Sequence, residues 1–283
     1  MNLFDTFILC IVILWLFVGS LFDFKKREVP DYLNFSLIFV GFFSRLIYSI
    51  VIAGYTVFVY GIFGFLLTLI FGAIMSYCKQ WGDGDSKILI GVGTCLGFSL
   101  NFTFFDFNSW PILLYFFLNS MIAGAIYGLV WTIGLCAIHF KDFLKTLAKL
   151  DKKFLYLPIL STLAFIIINL FFIKNPLFSL TVIGLCIGIY VLIFIKIVED
   201  SCMYKKVNVL DLVPGDWVVE TVKFKDKVIC SKKDRCLDEE QIKLLKKYKI
   251  KSVLVKEGIP FVPSFFFGIL LSLIFGNILR FLF

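Results

Sequence analysis

A series of apolar runs, each about as long as a membrane-spanning helix, constrains this chain more than any other feature. A helix rises about 1.5 Å per residue, so about 20 apolar residues cross the bilayer core. The mean hydropathy is +0.95, and 60% of residues are hydrophobic, which exceeds the roughly 45–50% apolar usage of soluble domains. We therefore expect a mainly α, polytopic helical bundle of about eight transmembrane helices. The predicted spans are 4–22, 33–51, 56–76, 88–105, 111–138, 155–173, 177–197 and 261–281.

The fourth predicted span differs from the others because it carries Gly91, Gly93 and Gly97. Glycine weakens an isolated helix. In membranes, however, it lets neighbouring helices approach closely. We therefore expect this span to be buried inside the bundle.

The distribution of basic residues predicts the orientation of the chain. All but three of the 28 Lys and Arg residues fall on one side of the predicted spans, the exceptions being Arg45, Lys174 and Arg280. The positive-inside rule assigns this side to the cytoplasm, with both termini outside. We expect a multi-pass protein of the cell membrane.

Two segments between the spans are predicted to lie outside the lipid core. Residues 198–258 alternate apolar and polar side chains around turns, and "LDEEQIKLLKKYKI" is typical of a helix with Asp238 as its N-cap. We predict a small cytoplasmic α+β domain at 198–258, between a bundle at 1–197 and a C-terminal transmembrane helix at 259–283. The loop 140–153 is predicted to form an interfacial helix, with lysines near anionic headgroups.

Two carboxylates stand at predicted span ends, where a charge is costly to keep. Asp23 ends the first span inside "LFDFKKREVPDYLN", and Asp85 opens the fourth inside "GDGDSK". The topology places both acids at the cytoplasmic face, where packing of spans one and four would bring them together. Ordinary loop composition explains either acid alone, but their shared position favours a functional pair.

Such a pair can catalyse hydrolysis without a metal. Close carboxylates do not both ionise easily, so they share a proton. The ionised partner activates a water that attacks a peptide carbonyl, and the protonated partner donates a proton. Gly82 and Gly84 flank Asp83, giving the backbone freedom and letting a substrate strand approach. The single His139 and eight scattered cysteines argue against His-dependent or metal hydrolysis, so we expect no cofactor and no metal.

Three motifs resemble those of the prepilin and preflagellin peptidases, a family of membrane aspartic proteases. "GDGDSK" is similar to the family signature Gly-x-Gly-Asp-x-Lys, and "DFKKREVPDYL" resembles its other Asp segment, in which Arg27 and Pro30 follow the acid. "EGIPFVPSFFFGILLSLIFGN" resembles the Gly-Ile-Pro-Phe-x-Pro opening of the family's last helix. The motifs occur in the family's order.

The resemblance implies catalysis by Asp23 and Asp85. It disfavours Asp83, because Gln80 stands where the first motif glycine would then be needed. Lys87 and Arg27 accompany the acids in the family pattern and would tune the carboxyls or shape the site.

The family cuts short basic leaders from membrane-inserted type IV pilin-like or archaellin precursors at the cytoplasmic face. We expect such a substrate and the lipid bilayer as partners, and no nucleic acid. A lysine-rich leader would be attracted by an acidic cluster formed by Asp23, Glu28, Asp31, Asp83 and Asp85.

Several alternatives remain open at this stage. An ion-coupled membrane transporter also uses acids near the membrane, although typically with two similar halves. A presenilin-like protease shares Gly-x-Gly-Asp, but its Tyr-Asp and Pro-Ala-Leu motifs are not found in this sequence. The chain lacks the Cys-x-x-Cys loop of bacterial relatives, and two spans near 155–197 exceed the six-span pattern. The choice between pilin and archaellin, and the oligomeric state, stay undetermined.

Overall fold

The computed structural model describes residues 3–52, 54–78, 80–100, 110–173, 175–213, 215–224, 227–231 and 237–276. The helices are α1 (Leu3–Lys26), α2 (Asp31–Val51), α3 (Thr56–Tyr77), α4 (Asp83–Leu96), α5 (Ile112–Ile138), α6 (Phe140–Ala148), α7 (Lys152–Ile168, continued by a π-helical turn Asn169–Ile173), α8 (Pro176–Cys202), α9 (Glu239–Lys247) and α10 (Val262–Phe275). The strands are β1 (Tyr204–Asn208), β2 (Trp217–Val218), β3 (Val222–Phe224), β4 (Lys227–Cys230) and β5 (Ser252–Lys256).

Six helices in the described part of the chain are long and apolar enough to cross a membrane: α1, α2, α3, α5, α7 with its π-helical turn, and α8. The prediction of a mainly α, polytopic membrane protein is confirmed. The other two predicted spans correspond to helices of 14 residues, α4 and α10. Residues 277–281 of the last predicted span lie outside the described residues.

The predicted fourth span, 88–105, is wrong in its limits. The helix starts earlier, at Asp83, and ends at Leu96, while 101–105 lie outside the described residues. Gly97 ends it with φ +67°, a conformation that favours glycine. The Arg45 guanidinium donates to the carbonyls of Thr94 and Cys95 at 2.7–3.1 Å, satisfying the end of the helix. The helix therefore ends within an apolar run, and hydropathy alone does not detect this end.

One compact unit comprises residues 1–128 and 259–283. Its core contains side chains from α1, α2, α4, α5 and α10. Helix α4 is buried along most of its length, as its glycines predict. A Cβ at Gly64 would lie 2.2 Å from the Gly93 carbonyl, so α3 and α4 cross too closely for any other residue at that position.

The second compact unit comprises residues 129–258 and contains α6 to α9 with all the strands. Antiparallel strands in the order β1–β5–β2 form one sheet, and β3 and β4 form a hairpin. The predicted strands and α9 are confirmed, and the Asp238 N–H donates to Gln241 Oε1 at 3.0 Å at the start of that helix. Strand β1 was not predicted. The domain limits at 197/198 and 258/259 stay predictions.

Candidate active site

Asp23 lies in the last turn of α1, and its side chain is buried. The N–H of Val262, the first residue of α10, donates to Asp23 Oδ2 at 3.0 Å. A buried carboxylate needs such a donor, and the positive end of a helix dipole favours its negative charge. The third sequence motif therefore has a structural role, because it forms the start of α10, whose first N–H binds the Asp23 carboxylate.

Asp85 lies in the first turn of α4 and is partly buried. The N–H of Gly82, which immediately precedes the helix, donates to Asp85 Oδ2 at 3.1 Å. The carboxylate thus satisfies one of the backbone donors left free at a helix start. The bond fixes the side chain relative to the Gly-Asp-Gly-Asp turn.

The packing of α1 against α4 brings the two acids to one junction. A Cβ at Gly19 would lie 2.8 Å from Ile88 Cδ1 and 3.4 Å from Val262 Cγ1, so α1, α4 and α10 meet there. Asp23 follows Gly19 by one helical turn, and Asp85 precedes Ile88 by nearly one turn. Because the start of α1 lies beside the end of α4, the two helices run antiparallel. Asp23 is close enough for its negative charge to act on Asp85.

The residues around Asp85 bring the first turn of α4 against the loop that follows α1. A Cβ at Gly84 would lie 3.2 Å from the backbone nitrogen of Val29. A Cβ at Gly82 would lie 3.3 Å from Asp85 Oδ2. Pro30, with φ −60°, precedes α2, and its carbonyl accepts the N–H of Leu33 at 3.0 Å. Gly84 and Pro30 therefore shape the path of this loop.

Lys87 joins the first turn of α4 to the start of α2. Its Nζ lies 2.7 Å from Asp31 Oδ1 and 2.6 Å from Asp83 Oδ2. Both acids are largely exposed, at 64% and 77% of their side-chain areas. Asp83 therefore takes part in a surface ion pair, whereas Asp85 is partly buried and accepts the Gly82 N–H. The expected acidic cluster is therefore not one continuous acidic surface. Lys87 pairs with Asp31 and Asp83, and Asp23 is buried.

Arg27 ends α1 in a left-handed conformation with φ +59°. Its N–H donates to the Asp23 carbonyl at 2.9 Å, and its charge acts on the Asp23 carboxylate. A non-glycine residue in this conformation costs roughly 1–2 kcal/mol. The loop therefore holds Arg27 close to the acid at a conformational cost.

Two aromatic residues of the site were not identified from sequence. Trp81, next to the Gly-Asp-Gly-Asp motif, packs its ring 5.1 Å from Phe261 and 5.4 Å from Phe265. Tyr127 of α5 lies edge-on to Phe24 at 6.4 Å and interacts electrostatically with Asp23. The position of Trp81 directly before the Gly-Asp-Gly-Asp motif could have identified it from sequence. Nothing in the sequence singles out Tyr127 among the chain's many aromatic residues.

The described residues contain no cluster of three or more His, Cys, Asp or Glu side chains able to hold a metal ion. Seven cysteines are free thiols, and Cys236 lies outside the described residues. The expectation of no metal and no cofactor stays a prediction.

Fold and site together define a class: a polytopic helical membrane protein with two carboxylates at a junction of helix ends. Residues 10–129 match the model of the type IV leader peptidase family, confirming the predicted family resemblance. The matched region includes both acids.

Part of the chain is also similar to a curated protein. The chain is 31% identical over 113 residues to a protein named preflagellin peptidase from Methanococcus maripaludis strain C6. The alignment covers 36% of this chain and 48% of the relative, so the chain spans about half the length of the curated relative it matches.

Proposed function

We propose that this protein is a membrane aspartic endopeptidase of the Gly-x-Gly-Asp type, with Asp23 and Asp85 as its catalytic residues. The observation that carries the proposal is the shared α1–α4–α10 junction, where the charge of Asp23 acts on Asp85. The family match over 10–129 supports the same reaction class.

The reaction uses the two carboxylates as a unit. Because close like charges do not both ionise easily, the pair holds one proton between its two members. The ionised carboxylate takes a proton from a water molecule, whose oxygen attacks the scissile peptide carbonyl. The protonated carboxylate donates its proton to the developing oxyanion or the leaving amine. The N–H donors of Val262 and Gly82 orient the carboxylates for these transfers.

The proposed substrate is a membrane-inserted type IV pilin-like or archaellin precursor, cut behind its basic leader at the cytoplasmic face. The name of the curated relative supports this substrate class. Asp31 and Asp83 are exposed beside the junction, where leader lysines can compete with Lys87 for them. Electrostatic attraction of this kind selects a basic partner and speeds its encounter.

An ion-coupled transporter was the alternative left open by the acids. Transporters place coupling sites near the bilayer midplane, in broken helices. Here Asp23 lies in the last turn of its helix and Asp85 in the first turn of its own, next to connecting loops. Acids at helix ends can be approached by a substrate segment from the connecting loops. This placement favours a peptidase over a transporter, whose ions cross the interior of the bundle.

The test incubates the purified full chain with tagged prepilin and tagged preflagellin and maps any cut by mass spectrometry. We expect one cut behind the leader lysines, lost by at least about 100-fold in Asp85→Asn. Asp83→Asn is the matched control, two residues away in the same turn, and should retain most activity. Equal losses in the two variants would contradict the assignment of Asp85.

A further inference from the structure

Helix α6 connects two helices that are long and apolar enough to cross a membrane. His139 alone separates it from α5, and residues 149–151 separate it from α7. With such short connections at both ends, α6 must stay close to the membrane surface. We propose that α6 lies in the bilayer interface and binds the headgroups of anionic lipids.

The sequence of α6 divides its surface into two faces. Phe140, Phe143, Leu144 and Leu147 recur at helical spacing on one face. Lys141 and Lys145 lie on the other face, which Lys149 extends at the same four-residue interval. An amphipathic helix with lysines on its polar face and aromatic residues on its apolar face is typical of interfacial binding.

Protein covers only part of the apolar face. Phe143 packs against Phe194 of α8, with ring centroids 5.7 Å apart. Phe140 and Leu144, in contrast, are 53% and 46% exposed, and none of the nine residues of α6 is buried. The exposed part of this face continues the apolar surface of the adjoining α5, on which Ile138 is also exposed. Lipid acyl chains, which would surround α5, can cover this adjoining apolar surface of α6 as well.

The charges around α6 complement an anionic surface. Segment 140–153 carries five lysines and two acids. Asp142 forms an exposed pair with Lys145 at 3.0 Å, and Asp151 accepts the N–H of Lys153 at 3.1 Å to cap α7. The segment stays net positive, and each lysine within about 8–10 Å of anionic headgroups attracts them.

Helix α9 provides an internal contrast. It also has nine residues, with lysines in its last turn, but its apolar side chains Ile242 and Leu245 are buried in the core of the second unit. Its apolar face is therefore occupied by protein. The same tests applied to α9 control for amphipathic sequence and for lysine content.

The first experiment measures contact with lipid in the full chain. A fluorescent amino acid excited outside the tryptophan range replaces Leu144 of α6 or, as the control, Leu244 of α9, which is 38% exposed. Each protein is reconstituted into nanodiscs with brominated phosphatidylglycerol or brominated phosphatidylcholine as quencher. We expect quenching at 144, stronger by about twofold or more with phosphatidylglycerol, and little quenching at 244. An unquenched probe at 144 would overturn the proposal, since protein or water would then cover the face.

The second experiment tests the lysines. Lys141→Gln, Lys145→Gln and Lys149→Gln are combined in the protein with the probe at 144. The control combines Lys243→Gln, Lys246→Gln and Lys247→Gln with that probe. We expect the preference for phosphatidylglycerol to fall towards unity in the first set and to persist in the second. Equal quenching by both lipids in the unsubstituted helix, or the same loss in both sets, would contradict binding of anionic headgroups by α6.

Discussion

Charged side chains meet the two ends of α4 in different ways. At its end, Arg45 of α2 donates to the carbonyls of Val57, Thr94 and Cys95 and is 7% exposed. At its start, Asp85 accepts the N–H of Gly82, and the negative charge of Asp23 acts on its carboxylate. Both residues are charged side chains within an apolar bundle, where a charge is costly to keep. Their partners distinguish them, because Arg45 binds the carbonyls at a helix end, whereas the charge of Asp85 is opposed by that of a second acid, Asp23.

The largest expected effect on stability is at the Arg45 end. Arg45→Met leaves the buried carbonyls of Thr94 and Cys95 and the half-buried carbonyl of Val57 without this donor. Each buried unsatisfied group costs about 1–3 kcal/mol. We expect the free energy of unfolding to fall by about 3 kcal/mol or more, measured by denaturation in detergent. Asp85→Asn, at the other end of the helix, should unfold like the wild type. An Arg45→Met protein of unchanged stability would remove the distinction between the two ends.

The next largest effect is expected from a change in the backbone beside Asp85, which should slow cleavage. In Gly84→Ala, the new Cβ presses on the Val29 backbone and shifts the first turn of α4. Misplacement of a catalytic group by a fraction of an ångström should slow cleavage by about tenfold, measured as kcat/KM. Gly128→Ala is the control, because nothing lies within 4 Å of its added Cβ. Equal rates in the two variants would show that the loop contact does not position Asp85.

A smaller, salt-dependent effect on the cleavage rate is expected when the leader of the substrate is changed. Replacing leader lysines by glutamine should slow cleavage a few-fold at low ionic strength, because Asp31 and Asp83 then attract the leader less. The difference should shrink as salt shortens the Debye length from about 30 Å to about 8 Å. The measurement is kcat/KM over a salt series for both substrates. A difference independent of salt would mean that the leader is recognised by shape or backbone contacts.

The smallest effect is expected at Lys87. Its pairs with Asp31 and Asp83 are on the surface, so Lys87→Met should change the free energy of unfolding by no more than about 1 kcal/mol. Thermal denaturation measures this change. A loss as large as that of Arg45→Met would mean that these pairs, and not the buried guanidinium, hold α4.

The parts of this protein that were predictable follow periodic or local signals. Apolar length predicted the long helices, and the alternation and capping pattern at 198–258 predicted the strands and α9. The proposed pairing of Asp23 with Asp85 rests on the predicted topology, which places the two helix ends on one side.

The remaining features depend on contacts between distant residues. The donor to the last carbonyls of α4 is Arg45, 50 positions from Cys95. The donor to Asp23 comes from Val262, 239 positions away, and Gly84 is required by the backbone of Val29. No window of sequence contains both partners of such a contact, so hydropathy and propensity do not reveal it.

The central claim is that Asp23 and Asp85 act as one catalytic unit. A double-mutant cycle with Asp23→Asn, Asp85→Asn and both together tests it, with cleavage of tagged prepilin or preflagellin as the readout. Residues that act as a unit are strongly non-additive, so each single variant should lose about as much activity as the double variant. Losses that multiply in the double variant, or continued cutting at the wild-type site when both acids are replaced, would contradict the claim.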